Sequence, residues 1–318
     1  MANANEKERD EYTFGEIEQL LVNYLDKNGN NLEIGTPDFT EFVINQMHYD
    51  SDQKLAKLPE YHLFVAYFAE YLHQLSLFET EIMAEYNPST ISSDSSIADK
   101  TVLDYSGEKF SMSYLKDVTL GEIKEEILQE EREIAKLQES KQPNSEIMAT
   151  INVAAARAYA TKYYKNYNTA YPRYSNDCTN FVSQILHAGG RKQVTVATTS
   201  TLVRDTKYWF IRKRAGDGVW TRSSSWSLVE DLYSHLVRSH TVYTSSNKSN
   251  IVSQARPGDV IQFKKSGADR YTHAMWVNNK VAKSSSKIDL LLAGHTNDYL
   301  TRSLDDITGY STYRIIKM

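Results

Sequence analysis

The charge of this chain reverses sign partway along it. Residues 1–145 carry 12 Lys+Arg against 29 Asp+Glu, a balance of −17, and residues 146–318 carry 24 against 12, a balance of +12. The reversal falls at Gln142-Pro143-Asn144-Ser145, where proline ends a helical pattern. At 318 residues the chain is long enough for two cores. We therefore expect two units meeting near residue 145, and a C-terminal fragment that is stable alone. A basic half suits an anionic polymer: nucleic acid, an anionic lipid surface, or a cell wall bearing teichoic acid.

Composition narrows the class. Apolar residues at 41% and charged residues at 24% are ordinary for a globular chain. No apolar run is long enough to span a membrane. Cys178 is the one cysteine, so disulfide scaffolds and Cys-rich zinc or iron–sulfur sites are out. The chain opens MANANEKERDEY with no apolar leader, and Ala2-Asn3-Ala4 has the small-x-small form of a cleavage site. That fits a mature chain outside the cell or in the cell wall rather than in the cytoplasm.

Residues 14–27 and 38–48 have apolar positions at helical spacing. Residues 60–75 are helical in period but rich in Tyr and Phe, so a strand also fits. Strands are expected near 77–86, 101–105 and 108–115, with a loop at 87–100. Residues 119–141 form a charged helix. Its seam, Leu120, Ile123, Ile127, Ile134 and Leu137, is broken at Glu130. We read it as a linker helix lying on its own domain, with a weak dimer through 119–141 as the alternative. The expected division is 1–118 acidic and mostly helical, 119–145 linker helix, and 146–318 a second domain. In that domain a helix at 151–168 precedes strands at 258–263, 272–281, 289–296 and 310–317, an α+β order.

Asp177 is a good N-cap, and Cys178 then opens a helix whose buried stripe is Phe181, Val182, Ile185 and Leu186. A helix N-terminus favours the thiolate, and its free N–H groups could hold an oxyanion. Position alone fits a buried small hydrophobe equally well. A cysteine nucleophile needs a histidine base and a third group to orient it. His187 is out of phase on the same helix, and His235 and His240 read as surface residues. His273 shares a strand face with Met275 and Val277, and His295 with Leu291 and Ala293. A core histidine is the usual reading of each alone; two late strand histidines after a capped cysteine suggest a site.

NDCTNFVSQILHAGG, SSSWSLVEDLYSHL, PGDVIQF, THAMWV and AGHTND together resemble the putative amidase domain family, among the papain-like cysteine amidohydrolases and peptidases of bacterial cell walls. The likeness spans about 150–318. It implies a papain-like α+β fold, Cys178 as nucleophile, His273 as general base and His295 as the third residue, with Asn297 the alternative. It implies hydrolysis of an amide in peptidoglycan, muramoyl–alanine or within the peptide. Peptidoglycan or an anionic wall polymer is then the expected partner, and nucleic acid is not.

Tyr159, Tyr163 and Tyr167 at i, i+4 and i+8 read as a packing stripe, whereas Tyr171, Tyr174 and Trp226 read as cleft lining. No H-E-x-x-H, Gly-rich phosphate loop or G-x-S-x-G occurs, so neither metal nor cofactor is expected. The rivals are a wall-binding module without activity and a Cys–His deamidase or transglutaminase of the toxin type. Turnover and the product released separate them.

Overall fold

The computed structural model describes residues 7–82, 107, 109–139, 151–215 and 218–318. The expected boundary at 145, the loop at 87–100 and the strand at 101–105 lie outside the described residues, as does Ala2-Asn3-Ala4.

The N-terminal half is helical. Helix α1 (Phe14–Lys27) buries Phe14, Ile17, Leu21 and Leu25 on one stripe. Thr13 and Glu16 cap it reciprocally. Helix α2 (Pro37–Tyr49) starts on Thr36 with proline at its first position, where no N–H is needed. Helix α3 (Tyr61–Ile82) is apolar on nearly every side because it is the hub of this core. It takes in residues 77–82 where a strand was expected. Residues 113–115 form a 3-10 turn, not a strand. Helix α4 (Leu120–Glu139) buries Leu120, Ile123, Ile127 and Ile134. The first three pack into the core of their own chain, while Ile134 and Leu137 border an opening between the helices. Glu130 interrupts the seam because its carboxylate pairs with Arg270, 2.7 Å away in the other half.

The C-terminal half is α+β. Helix α5 (Val153–Tyr163) stops five residues short of the expected end. Helix α6 (Cys178–Ala188) follows. An insertion holds strands β1 (Leu202–Val203), β2 (Ile211–Lys213) and β3 (Trp220–Ser223) in a small sheet. Next come α7 (Ser224–Ser227) and α8 (Val229–Leu236). The main sheet contains β4 (Val242–Ser245), β5 (Val260–Lys265), β6 (His273–Ser284), β7 (Lys287–Gly294), β8 (Tyr299–Ser303) and β9 (Tyr310–Ile316). Its order is β4-β9-β5-β6-β7-β8, with every neighbouring pair antiparallel. Ala274, Trp276 and Ala293 turn to the face that packs on α6. Met275, Val277, Leu290 and Leu292 turn to the opposite, also buried, face. None of the described helices is long and apolar enough to cross a membrane.

The two halves meet through charge. Arg9 pairs with Asp269 at 2.5 Å, and Arg270 pairs with Glu70 at 2.9 Å as well as with Glu130. Arg204 pairs with Glu81. Part of the sign reversal in the sequence therefore matches an internal interface. Gly267, at φ +94°, lets the β5–β6 turn rest against α3: a Cβ there would sit 3.3 Å from His62 Cα. The next residue, Ala268, packs into the N-terminal core.

Candidate active site

Asp177 stands at the N-cap position of α6, but its side chain does not cap the helix. Its Oδ1 accepts from the Tyr174 N–H at 3.0 Å and from Asn180 Nδ2 at 2.8 Å. Its Oδ2 faces His295 Nδ1 at 2.6 Å. The carboxylate thus ties the turn before the helix instead of the first helical N–H groups.

Cys178 is 0% exposed and packs on Val229 and Tyr271. Its thiol donates to Asn176 Oδ1 at 3.5 Å and lies 3.7 Å from Thr179 Oγ1. The backbone N–H groups of Ala274 and Thr179 also point at the sulfur. Burial nevertheless pushes the thiol up to about 11, the reverse of the direction expected from the helix N-terminus. Desolvation of a fully enclosed thiolate outweighs the donors around it.

His273 opens β6, and Ala274 beside it touches the sulfur. The His273 ring stands edge-on to His48 with centroids 4.3 Å apart. His48 is the last residue but one of α2, and its Nδ1 lies 2.7 Å from Tyr310 Oη. His273 is 6% exposed, and among the described residues its Nδ1 has no hydrogen-bond partner. Burial, then His48, holds this imidazole well below the usual range.

His295 follows β7 and serves a different partner. Trp276 lies opposite Ala293, so His295, two residues on, returns to the α6 side of the sheet while His273 faces away from it. Its ring stacks on Phe181 of α6 at 3.6 Å. Its Nδ1 faces the Asp177 carboxylate and its Nε2 the Tyr163 carbonyl at 3.0 Å. The ring is thus held between two acceptors, the Asp177 carboxylate and the Tyr163 carbonyl. Neither His295 nor Asn297 bonds to His273 Nδ1. Asn297 is exposed in the following turn, where Thr296 takes a strained φ of 74°.

The model of the putative amidase domain family matches residues 150–317, more than half of the chain. The chain belongs to that family. Membership points to amidase-type activity, that of a hydrolase acting on an amide. The chain is also similar to the uncharacterized protein YhbB of Bacillus subtilis strain 168, 33% identical over 163 residues. That match covers 48% of this chain and 44% of the relative, so the chain spans under half the length of the curated protein it matches. No solved structure matches significantly.

Within the amidase domain, Trp226 is a core residue rather than part of a cleft. It is fully buried, its ring lies 4.8 Å from Trp209, and its Nε1 donates to Asn180 Oδ1 at 2.9 Å. Tyr174 is buried under Arg222. Tyr171 is half-buried and stacks on Trp226 at 5.9 Å. Tyr159 and Tyr163 do pack together, at 4.6 Å, but Tyr167 has left the helix and lies on His295 at 4.0 Å. His235 and His240 are buried too, contrary to the surface reading.

His48, His273, His295, Asn297 and Tyr310 line one cavity of about 30 Å³, room for a water or two. A larger opening of about 660 Å³ lies between α3, α4 and α8. It shares His73 and Leu228 with a small pocket bordered by Asn176, Val229 and Tyr271, residues that surround the sulfur. Among the described residues, no group of three or more His, Cys, Asp or Glu is placed to hold a metal ion. Sequence reasoning missed His48, Asn176 and Tyr310. Asn176 had a local signal, its place two residues before the cysteine. The other two come from segments distant in the chain.

Proposed function

We propose that this chain is a cysteine-dependent amidase of bacterial peptidoglycan, cutting the muramoyl–alanine bond or one within the peptide, on a papain-like α+β domain. One observation carries the reading: the sulfur that opens α6 lies against the backbone of Ala274, next to His273. The large opening between α3, α4 and α8 adjoins, through His73 and Leu228, the small pocket that Asn176 and Tyr271 border, so in this reading a bulky substrate reaches the buried sulfur by widening that pocket. The net positive balance of 146–318 supports an anionic wall as partner, outside the cell.

In this reading the His273 imidazole turns onto the sulfur and takes the thiol proton. The thiolate attacks the amide carbonyl, forming the carbon–sulfur bond. The Ala274 and Thr179 N–H groups that lie on the sulfur favour the thiolate. The imidazolium then gives its proton to the leaving amine as the carbon–nitrogen bond breaks. Water, deprotonated by His273, hydrolyses the thioester and frees Cys178.

The test is mass spectrometry of muropeptides after incubation of purified peptidoglycan with the whole chain. New amine and carboxyl termini are expected. Cys178→Ala and His273→Ala should each lower the rate about 10³-fold or more while staying folded. Intact peptidoglycan with ammonia released from a protein glutamine would favour the deamidase class. Retention on walls without any product would favour a binding module.

A further inference from the structure

The three residues before Cys178 are each held by a side chain. Asn176 accepts from the thiol, and Asp177 is held by Tyr174, Asn180 and His295. The holder of Ser175 comes from outside the family-matched segment. Glu79, on the last turns of α3, is fully buried. Its two carboxylate oxygens share the Ser175 N–H at 3.1 Å each, and Oε1 takes the Ser175 hydroxyl at 2.5 Å. The end of α3 is anchored to the same place. Arg222 Nη2 donates to the carbonyls of Glu79 and Thr80, and Thr80 Oγ1 lies 3.2 Å from Ser227 Oγ.

We propose that Glu79 is a positioning residue for the amidase reaction: by gripping Ser175 it fixes the turn that presents the Cys178 sulfur, which makes the N-terminal half part of the catalytic unit. The proposal rests on Cys178 being the nucleophile. The groups facing Glu79 are Ser175, Asp177, Arg222 and Tyr174 from the amidase domain and Tyr71 on its own helix. Burial pushes this carboxyl up to about 7, Asp177 adds to that, and the Ser175 donors and Arg222 oppose it. Ionised, Glu79 accepts from both Ser175 groups. Protonated, one oxygen becomes a donor and the grip changes.

The test follows Cys178 reactivity directly, so it needs no substrate. Intact-protein mass spectrometry measures its alkylation by iodoacetamide from pH 5 to 10 in the full chain, in Glu79→Gln and in Ser175→Ala. The wild-type profile should carry an inflection near pH 7 below the thiol's own ionisation. Glu79→Gln, which keeps an acceptor but cannot titrate, should lose that inflection. Ser175→Ala and Glu79→Ala should each change the alkylation rate by about tenfold, and the double variant by no more than either. Superimposable wild-type and Glu79→Gln profiles, or fully additive effects, would overturn the positioning role. Ser175→Ala, at a partly exposed site, keeps the test open if Glu79→Ala does not fold. Undiminished turnover by Cys178→Ala would instead sink the nucleophile assignment, a separate outcome.

Discussion

The His48 ring meets His273 edge-on, 4.3 Å between centroids, and so an imidazole from the helical half covers the proposed base of the amidase domain. Tyr310 fixes His48 from the domain's last strand. With both rings neutral and the thiol protonated, this is a resting arrangement: no hydrogen bond joins Cys178 to His273. The first prediction is that His48→Ala lets His273 turn. Its imidazole should titrate closer to the ordinary range by NMR, and Cys178 alkylation at pH 7 should accelerate. Loss of the packed ring should lower stability by about 1–3 kcal/mol in denaturant unfolding. Unchanged alkylation at a measurably lower stability would show that His48 only packs.

A second prediction concerns His295. Its contacts run to Asp177 and Tyr163, so its effect on the reaction should pass through the turn before Cys178. Asp177→Asn and His295→Ala should each lower the rate of amide cleavage by about tenfold or more, and together by no more than the worse of the two. Asn297→Ala, at an exposed turn, should be mild. A large loss in Asn297→Ala with a small one in His295→Ala would return the orienting role to Asn297.

What the sequence shows of this fold is what is local. The stripes of α1 and α2, the cysteine at the start of α6 and the alternation of β5, β6, β7 and β9 can be read from it, because caps and periodicity involve near neighbours. Helix α3 is harder: buried all round, it has little amphipathic contrast, and its tail mimics a strand. The faces of His273 and His295 follow from the Trp276–Ala293 register, which alternation within each strand does not specify. The gap in the α4 seam at Glu130 is visible in the sequence, but its partner Arg270 lies 140 residues away. The same holds for His48 and Glu79, which reach the site only when the halves pack.

The third prediction tests that packing. Arg270 and Glu70 are both 2% exposed and mutually bonded. Arg270→Met leaves the Glu70 carboxylate buried without its cation, and should lower stability by about 3–5 kcal/mol. Glu70→Met with Arg270→Met should recover much of that loss. Residues 146–318 alone would expose Arg270, Arg222 and Ala268, so this fragment should be poorly soluble, or less stable than the whole chain. A fragment that is monomeric, as stable as the whole chain and fully active would show that the halves are independent after all.

The last prediction is the direction of acid sensitivity. Arg191 lies 3.2 Å from His235 Nε2 and 2.8 Å from His240 Nε2, while each Nδ1 meets a carbonyl, of Thr206 and of Lys317. A carbonyl only accepts and a guanidinium only donates, so the His235 imidazole is neutral. Burial, then Arg191, takes His235 down to about 3. Burial likewise lowers His48 to about 3 and His73 to about 4. A folded value below the unfolded value of about 6.5 means the unfolded chain binds the proton first. The stability from these neutral rings is therefore fully present above pH 6.5 and is lost as pH falls. Between pH 6.5 and 5 this amounts to about 2 kcal/mol for the buried His235. Glu79 acts in the opposite sense: raised to about 7, it keeps a proton the unfolded chain releases, and favours the fold as pH falls towards 4.5. His273, lowered in the same sense, joins these three histidines, and the four together outweigh Glu79 and the smaller upward shifts that burial gives Glu130 and Asp231, so the denaturant midpoint should drop from pH 7 to pH 5. His235→Gln should reduce the slope of stability against pH by about one proton. An unchanged slope in that variant, or a midpoint that rises on acidification, would rule out neutral buried histidines as the cause.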